Sequence, residues 1–159
     1  MKKLVIFSLT IALLASCSKT GESEMNCNLN VASLSGSYRV TAVKYKATPT
    51  SPEEDYYNLF FQDVCERDDI ITLNANRTYT FIDASVKCFP PGDATGRWSL
   101  FNSTLGFDYF SSWSFLGLFT PTYSGSSVKI DSFNCSTLTL SNSDVINPGD
   151  KLIHILTRQ

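Results

Sequence analysis

From Leu34 to Thr157 apolar and polar residues alternate in short runs, and each run stops at a cluster of Asn, Gly, Pro or Ser. Period-two alternation turns one face of a run to a core and the other to water, which demands strands. The short breaks demand that consecutive strands pair antiparallel. Tyr38, Val40 and Ala42 alternate with Arg39, Thr41 and Val43, predicting a long first strand through about Lys46. Ile70 to Leu73 and Thr78 to Ile82 bracket Asn74-Ala75-Asn76-Arg77 and read as a hairpin. Arg97 to Phe101 and Leu105 to Phe110, around Asn102-Ser103-Thr104, read as a second. Val128 to Phe133 and Thr137 to Leu140 flank a third turn near Asn134, and Lys151 to Thr157 follows Asn147-Pro148-Gly149-Asp150. The expectation is all-β, with eight antiparallel strands in sequence order. Closing such a sheet removes its exposed edges. At eight strands the interior is filled by side chains or holds one small ligand.

One segment breaks the alternation. Ser51-Pro52-Glu53-Glu54 has the capping-box pattern, with proline at the first helical position, and Tyr56, Tyr57, Phe60, Phe61 and Val64 recur at helical spacing. The spacing predicts one short helix after the first strand, from Pro52 to about Val64, with that stripe facing the sheet.

The first residues belong to a different kind of segment. Lys2 and Lys3 precede an apolar run from Leu4 to Leu14, too short to span a bilayer and proportioned like a secretory leader. It ends in Leu14-Ala15-Ser16-Cys17, which resembles a bacterial lipobox, in which the cysteine thiol is alkylated with diacylglycerol and the chain is cut before it. The expected organisation is a leader over 1–16, a lipidated flexible tether over 17–33 and a β domain over 34–158. Two or three acyl chains on Cys17, each buried methylene contributing about 0.8 kcal/mol, make such attachment effectively permanent. The expected address is the cell envelope, on the outer membrane, either facing the periplasm or on the surface. The formal net charge of −2 offers no basic field for nucleic acid.

With Cys17 acylated, Cys27, Cys65, Cys88 and Cys135 remain, an even number in an exported chain, and four cysteines allow three pairings. Cys65–Cys88 is favoured because the two flank the central strands, and Cys27–Cys135 follows by elimination. In the chain-entropy model these loops contribute at most about 3.4 and 4.8 kcal/mol. No CxxC pair occurs and the chain has one histidine, His154, so neither a metal site nor a cofactor is expected.

His154 alternates with Leu152 and Leu156 and has no serine or cysteine at a recognisable catalytic spacing, so it reads as structural and the chain as no enzyme. Asp68 and Asp69 are adjacent; on a strand they would point to opposite faces, which favours a strand-entry role. Residues 109–123 carry six aromatics and no charge. They either fold over or into the sheet, or expose Trp113, Phe115 and Phe119 to an apolar ligand, a glycan or a partner protein of the envelope.

Several residues resemble the lipocalin-like lipoproteins common in Bacteroidota, over roughly Leu34 to Leu156. Leu34, Gly36 and Tyr38 sit where that family carries Leu-x-Gly-x-Trp, and Cys65 with Asp68 and Asp69 looks like its Cys-x-x-Asp step. Leu73, Asn76, Thr78 and Tyr79 are similar to its hairpin, Cys88 to its second cysteine, Gly96 and Trp98 to its Gly-x-Trp strand, and Leu138 and Leu140 to its Thr-Leu-x-Leu strand. Tyr38 replaces the first Trp, and Arg77 stands where a turn glycine is usual. The resemblance implies an eight-stranded up-and-down barrel without an agreed activity. A small hydrophobic ligand inside it would meet Tyr38, Tyr79, Phe81 and Trp98.

Overall fold

A computed structural model describes residues 27–89, 92–108 and 126–159. Cys17, the leader and the aromatic residues Trp113, Phe115 and Phe119 lie outside these. The order of elements is α1 (Val31–Leu34), β1 (Gly36–Lys46), β2 (Glu54–Asp55), α2 (Tyr57–Phe60), a 3-10 turn at Val64–Glu66, then β3 (Ile70–Leu73) and β4 (Thr78–Ile82). There follow β5 (Ala94–Phe101), β6 (Thr104–Phe107), β7 (Ser126–Phe133), β8 (Thr137–Ser143) and β9 (Lys151–Arg158). All pairings are antiparallel in one sheet of order β2-β1-β3-β4-β5-β6-β7-β8-β9, and β1 also pairs with β9, so the sheet closes in a ring. The count is nine rather than eight. The additional strand, β2, is two residues long and pairs with Lys44 and Tyr45 of β1.

The expected turns are where the sequence puts them, and each is made by a different device. Asn102 and Ser103 both take positive φ, 45° and 58°, in the two-residue link between β5 and β6, a combination that matches the right-handed twist of the strands it joins. In the β3–β4 turn Arg77 itself takes φ 65°, and Asn76 Oδ1 accepts from the Thr78 amide at 3.1 Å. Between β7 and β8, Asn134 Oδ1 accepts from the Thr137 amide at 2.7 Å and Cys135 has φ 70°.

The helix expected from Pro52 to Val64 is not continuous. Glu54 and Asp55 extend instead, because the free edge of β1 offers them ladder bonds, and Lys44 pairs with Glu53 at 3.0 Å. Asp55 Oδ1 then accepts from the Tyr57 amide at 2.9 Å, so the helix starts five residues later than the capping-box pattern indicates and lasts one turn. Aromatic side chains are weak helix formers, and the turn ends at Phe61. Phe61 is buried and Tyr56, Tyr57 and Phe60 pack on the core, but Val64 is exposed and leaves the stripe.

The stretch 27–33, read as part of a flexible tether, is folded. Asn30 caps α1 by accepting from the Ser33 amide at 2.9 Å, Leu29 and Val31 pack on the core, and Cys27 is bonded to Cys135 with a Cα separation of 5.5 Å. Cys65–Cys88 is the second disulfide, at 5.3 Å. Both pairings agree with the expectation. Among the described residues no helix is long and apolar enough to cross a membrane.

The register defines two ends of the ring. The α1 end carries α1, the three turns above and the last residues of β9. The α2 end carries the β1–β3 connection and the connections 83–93 and 144–150, and the chain leaves β6 and re-enters β7 there.

Candidate functional site

The inward side chains come from alternate positions of the strands of the ring, β2 contributing none, and they divide into two layers. Toward the α1 end, Tyr38, Leu73, Tyr79, Trp98, Leu105, Leu138 and Leu156 are buried. Their few polar atoms are bonded: the Tyr38 hydroxyl donates to the Leu34 carbonyl at 2.8 Å and Trp98 Nε1 to the Asn74 carbonyl at 3.0 Å. Arg158 reaches across this end. Its guanidinium donates to the carbonyls of Ser33 and Ser35 and to the Tyr38 hydroxyl, and it lies over the rings of Tyr38 at 5.3 Å and Phe133 at 5.9 Å. Burial pushes the Tyr38 phenol up, and Arg158 partly offsets this. Gly36 leaves room for the clamp, since a Cβ there would stand 3.0 Å from Arg158 Nε. The void in this layer is about 10 Å³ and bounded by apolar side chains, Tyr38, Ile71 and Leu138 among them.

Of the four residues proposed to meet a ligand, Tyr38 borders that void. Tyr79 stands edge-on to Phe107 at 5.3 Å, and Gly96 makes way for it, because a Cβ there would come within 2.7 Å of Tyr79 Cε1. Trp98 is buried in the same layer. Phe81 lies one layer higher and borders an open groove of about 310 Å³ with Thr80, Ile82, Asp93, Ala94 and Thr95.

The layer toward the α2 end is different. His154 is completely buried, and neither Nδ1 nor Nε2 has a hydrogen-bond partner. Burial pushes its imidazole down to about 3, so the ring is neutral. Its ladder neighbours are Val43 and Leu140, and the Phe60 ring meets it edge-on at 6.1 Å. Above it the Tyr45 hydroxyl donates to Asp150 Oδ2 at 3.1 Å, and Tyr45 stacks on Tyr56 at 4.8 Å. Asp150 also accepts from the amides of Val145, Ile146 and Asn147. Burial alone would raise its carboxyl; those amides and Tyr45 more than reverse this and hold it below the usual carboxylate range.

Asp68 and Asp69 precede β3, as a strand-entry role requires, but their carboxylates do not diverge. Asp68 accepts from the amides of Ser85 and Val86. Asp69 is bonded by the Ala84 amide and pushed up to about 7, first by burial and then by the charges of Asp83, Asp68 and Glu66. Continuing the β3–β4 register one step beyond Ile70↔Ile82 sets Asp69 opposite Asp83. Each of the three carboxylates keeps one buried oxygen unpartnered. Among the described residues no group of three or more His, Cys, Asp or Glu is placed to hold a metal ion.

The wall of the ring has a gap beside His154. On its β3-facing edge β1 pairs with β3 only over Gly36–Tyr38 and with β2 only at Lys44–Tyr45. Between these, α2 fills the edge, with the Tyr56 amide donating to the Val43 carbonyl at 2.9 Å. The four-residue helix has no side-chain cap bond, and Leu59 on its outer face is exposed. Sequence reasoning missed Arg158, Asp150 and this gap. A basic residue ending the last strand was the only available signal for the first, and none marked the gap.

No protein-family model matches the chain, and no curated protein matches it. Among solved structures it is similar to a lipocalin-like protein from Bacteroides uniformis, 14% identical, covering 80% of this chain and 99% of that chain with a TM-score of 0.47.

Proposed function

We propose that this protein is a non-enzymatic binding module of the cell envelope that takes a small hydrophobic ligand inside an eight-stranded, lipocalin-like barrel, with β2 as a short addition to β1. Cys17 carries the acyl chains that hold it to the outer membrane. The observation that carries the reading is the gap between β1 and β3, closed by a single helical turn of aromatic residues rather than by a strand. Displacing α2 opens a path to an apolar interior without breaking any pairing of the ring. Tyr38, Tyr79, Phe81 and Trp98 form the wall below. His154 has no acid, hydroxyl or thiol partner among the described residues, which is what a general base would need; this supports a binding role over catalysis. No cofactor or nucleic acid enters this reading.

Native mass spectrometry of the purified domain after exposure to envelope lipid extract tests it. The expected result is a retained small-molecule adduct, and apo protein alone across several extracts contradicts it. Palmitate labelling that disappears in Cys17→Ala tests the anchor.

A second reading is favoured by the α1-end void of about 10 Å³ and by Phe89, which is 99% exposed. A filled barrel would then serve as a surface accessory, meeting a protein or glycan through its α2 end and through Trp113, Phe115 and Phe119. Crosslinking in whole cells separates the two: a stoichiometric partner lost on Trp113→Ser supports the accessory.

A further inference from the structure

A neutral imidazole has one N–H donor and one lone-pair acceptor. Burying both without partners costs on the order of 1–3 kcal/mol for each polar group, and folded proteins leave few such groups. His154 is the chain's one histidine. It projects from β9 into the ring between Leu152 and Leu156, with every side chain on its ladder neighbours apolar. The Phe60 ring of α2 meets it edge-on at 6.1 Å, and Phe60 is itself only partly buried. A hydroxyl suits this site: it donates to the lone-pair nitrogen of the ring or accepts from the ring N–H, one of the two at a time because they point to opposite edges of the imidazole. A carboxylate or ammonium head would be a charge in an apolar layer facing a ring that stays neutral, at a far larger cost.

We propose that His154 is the head-group site for an uncharged amphiphile whose polar end is a hydroxyl. The inference rests on the ligand-binding reading above and specifies its ligand. The hydroxyl lies against the imidazole in place of the Phe60 ring edge. The hydrocarbon runs outward along Phe60, Tyr57 and Tyr56 to the gap between β1 and β3, since the layer below His154 is packed.

The test uses the full chain labelled with ¹⁵N-histidine, where the single imidazole makes the signal unambiguous, and two probes of equal length, 1-octanol and n-octane. The expected result is that 1-octanol shifts the imidazole ¹⁵N resonances and n-octane does not. In His154→Leu, 1-octanol affinity falls about three- to tenfold while n-octane affinity is unchanged. Binding of both probes with unmoved nitrogens overturns the head-group assignment and leaves the ligand-binding reading standing. Binding of neither at saturation overturns both. Nitrogens already hydrogen-bonded before any probe is added overturn the assignment as well. The ¹⁵N readout needs no variant, so a His154→Leu protein that fails to fold does not remove the test.

Discussion

At the α1 end of the ring nearly every polar group that is buried has a partner; at the α2 end several do not. Arg158 ties α1, Tyr38 and Phe133 together, and Cys27–Cys135 fastens the entering chain to the β7–β8 turn. At the other end His154, Asp69 and Asp83 are buried with unpartnered atoms. Six of the seven large apolar side chains exposed among the described residues lie there, with Phe101 alone at the α1 end. At the α1 end Arg158 Nε is the one buried side-chain atom without a partner among the described residues, and the less complete end is where a ligand or partner gains most by binding.

The largest expected effect comes from the disulfides. Replacing Cys27 and Cys135 together by serine opens a loop with a separation of 108 residues and costs up to about 4.8 kcal/mol, against about 3.4 for Cys65 and Cys88 with a separation of 23. Urea unfolding of both double variants checks the order; a larger loss at Cys65–Cys88 would reverse the contrast between the ends. Arg158→Ala follows, at about 2–3 kcal/mol, because it leaves the carbonyls of Ser33 and Ser35 without their donor. A loss within about 0.5 kcal/mol, the range of ordinary surface substitutions, would remove the clamp from the account.

The α2 end is read through its pH dependence. Asp69 is raised to about 7, so its contribution to stability is full below the unfolded value of 3.8 and is lost as pH rises through 7. His154 is lowered to about 3, so its contribution is full above the unfolded value of 6.5 and is lost as pH falls toward 3. Between about pH 4 and 6.5 the two oppose each other. Asp69→Asn therefore makes the protein less stable on acidification across that window, and His154→Leu makes it more stable. Each slope is limited to about 1.4 kcal/mol per pH unit. Urea unfolding at pH 4.5 and 6.5 reads the signs, and parallel profiles for both variants would contradict the burial assigned to these groups. The smallest effect is at the β3–β4 turn. Arg77 holds φ 65°, and Arg77→Gly relieves that conformation for a gain of a few tenths to about 1 kcal/mol, read as a small rise in melting temperature. A loss there would mean that the Arg77 side chain contributes more than its backbone costs.

The strands and turns were legible because alternation and Asn-rich breaks are local signals. Ile70–Leu73 and Thr78–Ile82 lie where the pattern puts them, and the cysteine pairs followed from position and number. The β1–β3 connection was not legible. Its capping-box residues and aromatic spacing are a local case for a helix, and a long-range fact, the unpaired edge of β1, overrides it at Glu54 and Asp55. The candidate site was legible in His154 and in the aromatic stripe of Tyr56, Tyr57 and Phe60, which packs on the core as its spacing predicts. His154 falls on the inward phase of the last strand, which the alternation shows, but that its nitrogens lack partners depends on Val43, Leu140 and Phe60, three elements distant in sequence. The convergence of Asp69 and Asp83 is equally a matter of register across a hairpin.

The central claim is that α2 is a removable cover on a ring whose opposite end is fixed, and native-state hydrogen exchange of the intact protein tests it most directly. The amides of Tyr56 and Phe61, bonded to the carbonyls of Val43 and Tyr57, should exchange by local opening, with protection roughly 100-fold or more below that of Trp98 and Arg158 at the α1 end. Equal protection at the two ends, or faster exchange at Trp98 and Arg158, would contradict it.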